Sequence, residues 1–277
     1  MQISAQDVNK LRTMTGAGMM DCKKALTEAE GDFEKAVDIL RKKGQKVSAA
    51  RAENVTAEGM ILTAISADGK NGKLIAFACE TEPVSKVEDF RSLGSQILAA
   101  AVEKNPATLE ELLSLSLADG HSISENIVNM TGKIGEKLVI SAYENITAEA
   151  VVDYIHSNGK LGVLVALKNI GSASVTEVGK DVAMQIAAMR PLGVDKEDVD
   201  PTVVEREIEI GKDQARAEGK PEAMLEKIAL GKLNKFYKDN TLLNQEFVKD
   251  SSKTIAQLLD SVNKGMTVTT FKRVQIG

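Results

Sequence analysis

Side chains that could carry out chemistry are few in this sequence of 277 residues. His121 and His156 are the only histidines, and neither has cysteine or acidic neighbours at the spacing that metal ligands need. Cys22 and Cys79 are the only cysteines, too few for a disulfide framework, so we expect buried thiols in a reducing compartment. Because the sequence shows no nucleophile–base pair and no metal-binding set, it does not predict an enzyme.

A glycine-containing segment near the N-terminus begins like a dinucleotide-binding fingerprint. Gly16 and Gly18 have the required spacing, but a third glycine is absent and the segment follows a predicted helix rather than a strand. A turn between helices is therefore the better interpretation, and no cofactor is predicted. The next helix begins at Met19 and Met20, whose flexible side chains suit both core packing and adaptable interfaces. The pattern alone favours core packing but leaves both interpretations open.

The composition excludes several classes of partner. The net charge is −5, only 3% of the residues are aromatic and tryptophan is absent, which argues against direct binding to nucleic acid. The N-terminus lacks the basic and apolar segments of a signal peptide. No apolar run approaches the ~20 residues that span a membrane. We therefore expect a cytoplasmic protein that does not contact a membrane.

The element most able to present a site is a predicted strand-to-helix connection. Residues 73–79 form an apolar run that should be a strand ending before Pro83, because proline cannot donate to a sheet. Ser85 and Glu88 have the spacing of a capping box, so Ser85 should cap the next helix. We call this connection the tip and define it as Thr81, Glu82, Pro83 and Val84.

The N-terminal region is predicted to be helical. Residues 1–46 show three short helical patterns, and Val8, Leu11 and Met14 share the apolar face of the first. Residues 42–54 are charged, alanine-rich and weakly patterned, which indicates a linker.

An internal repeat organises the rest of the chain. Residues 59–80 and 150–168 each have the pattern of a strand, a glycine-containing turn and a second strand. The Asn158-Gly159 pair is a strong hairpin signal, and a two-residue loop would need positive φ at both positions. Two related α+β halves are therefore predicted. The helices expected within and between them cover about 86–103, 107–116, 122–138 and 174–189.

A protruding pair of helices should follow the second half. Pro201 suits the first position of a long helix, and Gly219-Lys220-Pro221 should turn the chain into a second helix that runs to about Tyr237. A further helix is expected over residues 252–262, and a closing strand over 268–276 could join the sheet of the second half.

The predicted fold class is α+β, with a duplicated core of antiparallel hairpins and sheets. The predicted units are a helical domain with its linker over 1–54, a first core half over 55–145, a second core half over 146–195 and 238–277, and an inserted antiparallel helical hairpin over 196–237.

Several motifs now carry a resemblance to a known family. The longest, L-R-x-x-T-G-A-G-M-M-D-C-K-K-A-L, runs from Leu11 to Leu26. Others are Lys133-Ile-Gly-Glu136, Gly159-Lys-Leu-Gly-Val-Leu-Val165, Gly219-Lys-Pro221 and Gln257-Leu-Leu259. Together they resemble the elongation factor Ts family over almost the whole chain. The resemblance implies an N-terminal ubiquitin-associated-like domain, a duplicated core and an inserted coiled-coil hairpin.

The same resemblance implies a function. Members of the family bind elongation factor Tu, in its GDP-bound or nucleotide-free form, and promote GDP release without bond-making chemistry. The tip is expected to displace the partner's Mg²⁺ and loosen its phosphate loop. The site residues that this implies are Thr81, Glu82, Pro83 and Val84 for Mg²⁺ displacement, and Arg12, Met19, Met20 and Asp21 for partner binding.

The sequence departs from the family at the tip. Most members have Thr-Asp-Phe-Val there, whereas this chain has Thr81-Glu82-Pro83-Val84. Pro83 removes the aromatic side chain that acts as a wedge and fixes φ near −65°. Three alternatives stay open: Val84 and the rigid turn take over the role of the wedge, the partner has adapted to proline, or the chain is a binding and stabilising partner of elongation factor Tu with weakened exchange activity. Self-association also stays open.

Overall fold

The computed structural model describes residues 3–15 and 17–277, and its fold class is α+β, as predicted. The helices are α1 (Ala5–Thr15), α2 (Met19–Glu28), α3 (Phe33–Ala50), α4 (Glu82–Ser85), α5 (Glu88–Lys104), α6 (Leu109–Ser114), α7 (Ile123–Ile134), α8 (Thr176–Met189), α9 (Pro201–Ala217), α10 (Glu222–Asn240) and α11 (Ile255–Val262). The strands are β1 (Glu58–Ile65), β2 (Asn71–Cys79), β3 (Leu138–Thr147), β4 (Ala150–Ile155), β5 (Leu161–Lys168), β6 (Glu246–Phe247), β7 (Asp250–Thr254) and β8 (Thr267–Gln275).

Helices α1, α2 and α3 pack around a small apolar cluster of their own. Leu11, Cys22 and Leu26 are fully buried in it. The linker predicted from residue 42 is wrong, because α3 continues to Ala50. Tertiary packing explains the longer helix. A Cβ atom on Gly44 would lie 3.2 Å from the carbonyl oxygen of Val128, so α3 crosses α7 almost backbone to backbone.

The first sheet has the antiparallel order β1-β2-β3. Strand β3 was not predicted, and the helix predicted to reach residue 138 ends at Ile134 instead. Gly135, with φ of +84°, ends that helix by donating its N–H to the carbonyl of Thr131. The chain is then free to return along β2 as the third strand.

The second sheet repeats this arrangement with the order β4-β5-β8, so the predicted closing strand does join it. Helix α11 begins at Ile255 rather than 252, because Thr254 and Gln257 form the capping box. The hairpin at Asn158 is confirmed, but its turn is not the two-residue type. Only Gly159 has positive φ, +71°, and Gly69 in the first hairpin has the same value.

The two sheets pack face to face through contacts that are reciprocal. Each residue of β4 and β5 lies 90 positions after its counterpart in β1 and β2, as Gly162 does after Gly72. A Cβ atom on Gly72 would lie 2.5 Å from a methyl of Val151, and one on Gly162 would lie 2.5 Å from a methyl of Ile61. The halves therefore meet about a local two-fold axis.

Each sheet is covered on its other face by one long helix. In the first half, Phe77 stacks on Phe90 of α5 with ring centroids 4.3 Å apart. In the second half, Val182 and Ile186 of α8 pack on β5. Burial of these apolar faces stabilises both halves.

Helices α9 and α10 form an antiparallel pair that extends from the second half. Asp200 caps α9 and Pro201 occupies its first position, as predicted. The helices approach closely where Gly211 faces Ala229, and a Cβ atom on Gly211 would lie 3.1 Å from the Cα of Ala229. Charged side chains cover most of the remaining surface of the pair.

Candidate partner-binding site

The tip is a single turn of helix inserted between β2 and α5. Thr81 lies at the N-cap of α4 and Pro83 lies in its first turn, where a missing N–H costs nothing. The predicted capping box is wrong, because the Ser85 hydroxyl donates to the carbonyl of Glu82 at 2.7 Å and α5 begins after Val87 without a side-chain cap. The short helix α4 takes up the residues that the capping-box prediction assigned to a loop.

The four tip residues face in two directions. The side chains of Thr81, Glu82 and Pro83 are exposed, and that of Glu82 is 64% accessible. Val84 is only 9% accessible and packs in the core cluster that contains Phe77 and Phe90. Val84 is therefore not available as a protruding wedge, and the outer surface of the tip is an acid beside a proline.

The charge of Glu82 is partly balanced within the tip. Lys86 Nζ lies 2.7 Å from a carboxylate oxygen of Glu82, one helical turn away. This hydrogen bond and the charge of Lys86 lower the pKa of Glu82, so the carboxylate is ionised at neutral pH. A partner that binds Glu82 must compete with Lys86 for it.

The residue before the tip is held by an extensive hydrogen-bond set. The carboxylate of Glu80 accepts from Arg51 Nη1 at 2.9 and 3.0 Å, from Asn54 Nδ2 at 2.8 Å and from the N–H of Lys137. Burial of this carboxylate opposes its ionisation, but the hydrogen bonds outweigh burial and lower the pKa of Glu80. Its side chain is 15% accessible. Sequence patterns did not identify Glu80.

A second carboxylate holds the first residue of the tip. Glu136 accepts the Thr81 N–H at 3.0 Å and the Thr81 hydroxyl at 2.7 Å. Glu136 follows the glycine that ends α7, so the end of that helix sets its position. Its segment Lys133-Ile-Gly-Glu136 was noted only as a family motif, because the 55 positions between Thr81 and Glu136 hide the contact in the sequence.

The expected partner-binding residues lie at the start of α2 and in α1. Met19 and Met20 are 55% and 65% accessible, so the interpretation that favoured their core packing is wrong. Arg12 is also exposed. Asp21 is half-buried, and one of its carboxylate oxygens lies 2.5 Å from Lys43 Nζ on α3. Met14 was assigned to the inner face of α1 but is exposed as well.

The histidines contact neighbouring polar side chains, and both cysteines are buried. His121 Nε2 lies 2.6 Å from Arg41 Nη2, and His156 contacts the Tyr154 hydroxyl. Burial, together with the nearby charges of Glu136 and Glu58, raises the pKa of the Cys79 thiol to about 12. Within residues 3–15 and 17–277, no group of three His, Cys, Asp or Glu side chains could hold a metal ion. No helix in that part of the chain is long and apolar enough to cross a membrane.

Comparison with known proteins places the chain among the translation elongation factors. A family model described as Elongation factor TS matches residues 80–277. Proteins named Elongation factor Ts from Cytophaga hutchinsonii and Amoebophilus asiaticus are 70% and 53% identical to it, over 99% and 100% of both sequences. The protein of that name from Porphyromonas gingivalis is 47% identical over 99% of this chain and 98% of its own length. The chain belongs to the elongation factor Ts family, whose members act with elongation factor Tu.

Proposed function

We propose that the chain binds elongation factor Tu in its GDP-bound form and accelerates GDP release by pressing its tip on the Mg²⁺ and phosphate site of the partner. The observation that carries this is the exposed pair Glu82 and Pro83, whose preceding residues are held by side-chain hydrogen bonds from Arg51 and Glu136. The role needs no bond-making chemistry from this chain.

The physical basis is the geometry that Mg²⁺ demands. Mg²⁺ requires near-ideal octahedral coordination and bridges nucleotide phosphates to the protein, so a small shift of its protein ligands weakens nucleotide binding. Linkage makes the effect mutual, because a partner that weakens GDP binding is itself bound less tightly in the presence of GDP. Excess GTP then completes the exchange.

The N-terminal helices provide the surface that binds the partner. Met19 and Met20 are large, flexible and exposed at the start of α2, which suits an adaptable protein contact. Arg12 offers a charge for the same contact. Asp21 contributes through its ion pair with Lys43, which fixes α2 against α3.

A second candidate function is binding and stabilising elongation factor Tu with weakened exchange. The observation that favours it is also at the tip. Pro83 replaces the family's aromatic residue and Val84 points into the core, so no large apolar side chain protrudes there. Truncation of an aromatic anchor often costs an interface ~2 kcal/mol or more.

The finer architecture also belongs to this proposal. Helices α1 to α3 would be the ubiquitin-associated-like domain of residues 1–54, and α9 with α10 the coiled-coil insertion of residues 196–237. Residues 55–145 would form the first duplicated half, and residues 146–195 with 238–277 the second. The reciprocal contacts at a constant offset of 90 residues support the duplication.

Release of a fluorescent GDP analogue from the cognate elongation factor Tu tests the function in a stopped-flow instrument. The Glu82→Ala/Pro83→Ala variant removes the outward side chains and spares Val84, so it should release GDP at least ~10-fold more slowly than the wild type. Ser174→Ala, at an exposed residue in the connection of the second half, is the matched control. A variant that still accelerates GDP release to the wild-type rate would show that the tip does not cause the release.

GDP release, measured together with binding, separates the two candidates. Both predict a complex with nucleotide-free elongation factor Tu, and both predict that Met20→Asp weakens it. Only the exchange factor predicts faster GDP release by the wild type. A wild-type chain that binds without accelerating release would establish the stabilising role instead.

A further inference from the structure

We propose that Glu136 and Glu80 are positioning residues for exchange, which hold the tip rigid so that contact with the partner moves the partner's Mg²⁺ site rather than the tip. This inference rests on the proposed exchange function. Neither carboxylate needs to touch the partner for this role. The argument depends on three segments that are distant in sequence and joined only at the base of the tip.

The first step is that the chain is fixed immediately before the exposed residues. Glu136 accepts both the N–H and the hydroxyl of Thr81, at 3.0 and 2.7 Å. Because α4 starts at the next residue, this carboxylate acts where an orphan N–H at a helix start needs an acceptor. The backbone entering Glu82 is thereby oriented by a side chain from the end of α7.

The second step is that the neighbouring residue is fixed from the opposite direction. Glu80 is held by Arg51 and Asn54, which follow α3, and by the backbone N–H of Lys137. The Lys137 side chain closes the set by donating to the carbonyls of Ala52 and Asn54, at 2.6 and 3.0 Å. Charge-assisted hydrogen bonds of this kind are stronger than neutral ones.

The third step is that the chain is also fixed immediately after the exposed residues. Val84 is buried in the apolar core of the first half. Glu82 and Pro83 therefore lie between two anchors, and the proline ring removes one further backbone freedom. A short segment held in this way can move the groups that it contacts. A mobile loop would move instead, and the conformational entropy lost on ordering it would offset the free energy of the contact.

The arrangement also connects the tip to the N-terminal helices. Arg51 lies at the C-cap of α3, and α3 packs on α7 where Gly44 faces Gly132. Helix α2, which carries Met19 and Met20, is thus connected to the base of the tip through the contacts of α3 with α2 and with α7. Partner binding at α2 should then place the tip, rather than leave it to find its site.

The test measures GDP release from elongation factor Tu against the concentration of the full-length chain, which separates the maximal release rate from the half-saturating concentration. Glu136→Ala should lower the maximal rate ~10-fold or more, as expected when a reacting contact is misplaced by about 1 Å. The half-saturating concentration should stay within about twofold. Glu136→Gln keeps one acceptor oxygen, so its maximal rate should lie between those of the wild type and Glu136→Ala. Glu177→Gln, an exposed acid on α8, is the matched control.

A double-mutant cycle assigns the effect to the contact with Thr81. Thr81→Val removes the hydroxyl and should slow release by itself, but it should add little in the Glu136→Ala background. Arg51→Met, which leaves Glu80 without its cationic donor, should lower the maximal rate by a smaller factor. Amide exchange of Thr81 should become faster in Glu136→Ala, which reports the loosened base directly.

The outcomes are distinct. Wild-type maximal rates in Glu136→Ala and Glu136→Gln would overturn the positioning role and leave the proposed function intact. Equal changes in rate and half-saturation, matched by a lower folded fraction, would assign these acids a purely structural role and also overturn it. A wild-type chain that does not accelerate release would overturn both proposals.

Discussion

The two halves of the core share their strand order, their helix and even their irregularities, and they differ where the second strand ends. Both sheets carry a β-bulge at equivalent positions, after Ala76 and after Ala166. In the first half, the connection to the helix projects Glu82 and Pro83 outward. In the second, Ile170, Ala173 and Val175 turn inward and pack on the core. One framework thus supports a connection with an exposed acid and proline in one copy and a connection whose apolar side chains pack on the core in the other.

This difference shows what the tip requires beyond the framework. The second connection is also held by a carboxylate, because Glu149 accepts the N–H of Ile170 at 3.2 Å. It lacks a counterpart to the Glu80 hydrogen bonds, and its own apolar side chains fill the space. At the tip only Val84 packs on the core, so polar contacts at the base hold the exposed residues in place.

The largest expected effect tests whether the two halves contribute equally to stability. Phe77 and Leu167 are fully buried at equivalent positions, and truncation should cost ~3–5 kcal/mol for Phe77→Ala and ~2–5 kcal/mol for Leu167→Ala. Chemical denaturation provides the measurement, with the exposed Val262→Ala as the control. A cost below ~1 kcal/mol at either site would show that this half contributes little to global unfolding.

The reciprocal interface should respond symmetrically to added volume. Gly72→Ala and Gly162→Ala each introduce a Cβ atom at 2.5 Å from a methyl of the opposite sheet, and each should destabilise the protein by ~1–3 kcal/mol. Gly231→Ala is the control, because its Cβ atom would meet nothing within 4 Å on helix α10, and it should stabilise by ~0.5–1 kcal/mol. Thermal unfolding would reveal asymmetry if only one of the two sheet variants lost stability.

The functional difference between the connections can be sharpened by restoring the family residue. Pro83→Phe places an aromatic side chain on the exposed tip and should raise the maximal rate of GDP release by ~10-fold, since aromatic anchors dominate interface energetics. Ser174→Phe, at an exposed position of the second connection, should leave the rate unchanged. An unaltered or slower rate in Pro83→Phe would indicate that the partner has adapted to proline.

The smallest expected effect distinguishes the two hairpin turns by pH. The Lys70 N–H donates to Asp68 at 3.1 Å, and the Lys160 N–H donates to Asn158 at 3.0 Å. Hydrogen bonds from Ser66 and then from Lys70 lower the pKa of Asp68, so the contact exists above the ordinary carboxyl pKa and is lost as pH falls through the lowered one.

NMR of the backbone amides would detect the difference between the turns. The chemical shift of the Lys70 amide should change below about pH 4 as Asp68 is protonated. The shift of the Lys160 amide should not change, because its acceptor, Asn158, does not titrate. Asp68→Asn should abolish the titration at Lys70. Parallel titration of both amides would contradict the assignment.

Much of the framework could be predicted because its signals are local. Periodicity and turn residues predict the hairpins at Gly69 and Gly159 and the helices that follow them. The same signals predict the pair α9 and α10. Strand β3 was missed because its pairing with β2 is set by residues more than 55 positions away. The full length of α3 was missed for a similar reason, since a weak pattern is stabilised by contact with α7.

The location of the candidate site at the tip stays a prediction, and the contacts that hold the tip in place were not predicted. The tip was identified from Pro83, which follows an apolar run, and from its similarity to a short family segment. Both signals are local in the sequence. The exposure of Met19 and Met20 was not predicted, because ordinary burial tendencies favour a core position although methionine also suits an interface. The contacts of Glu80 and Glu136 join segments that only the folded chain brings together.

The reciprocal packing of the sheets has a consequence for how such a chain could arise. When residue i contacts j and the counterpart of j contacts the counterpart of i, the interface is isologous, which is the signature of a symmetric homodimer. The backbone shows this directly, since Ile61 donates to the carbonyl of Gly159 and Val151 donates to that of Gly69. A dimer of identical halves must change both copies together. Two halves joined in one chain are free of that constraint, so one can present an exposed acid and proline while the other packs apolar side chains on the core.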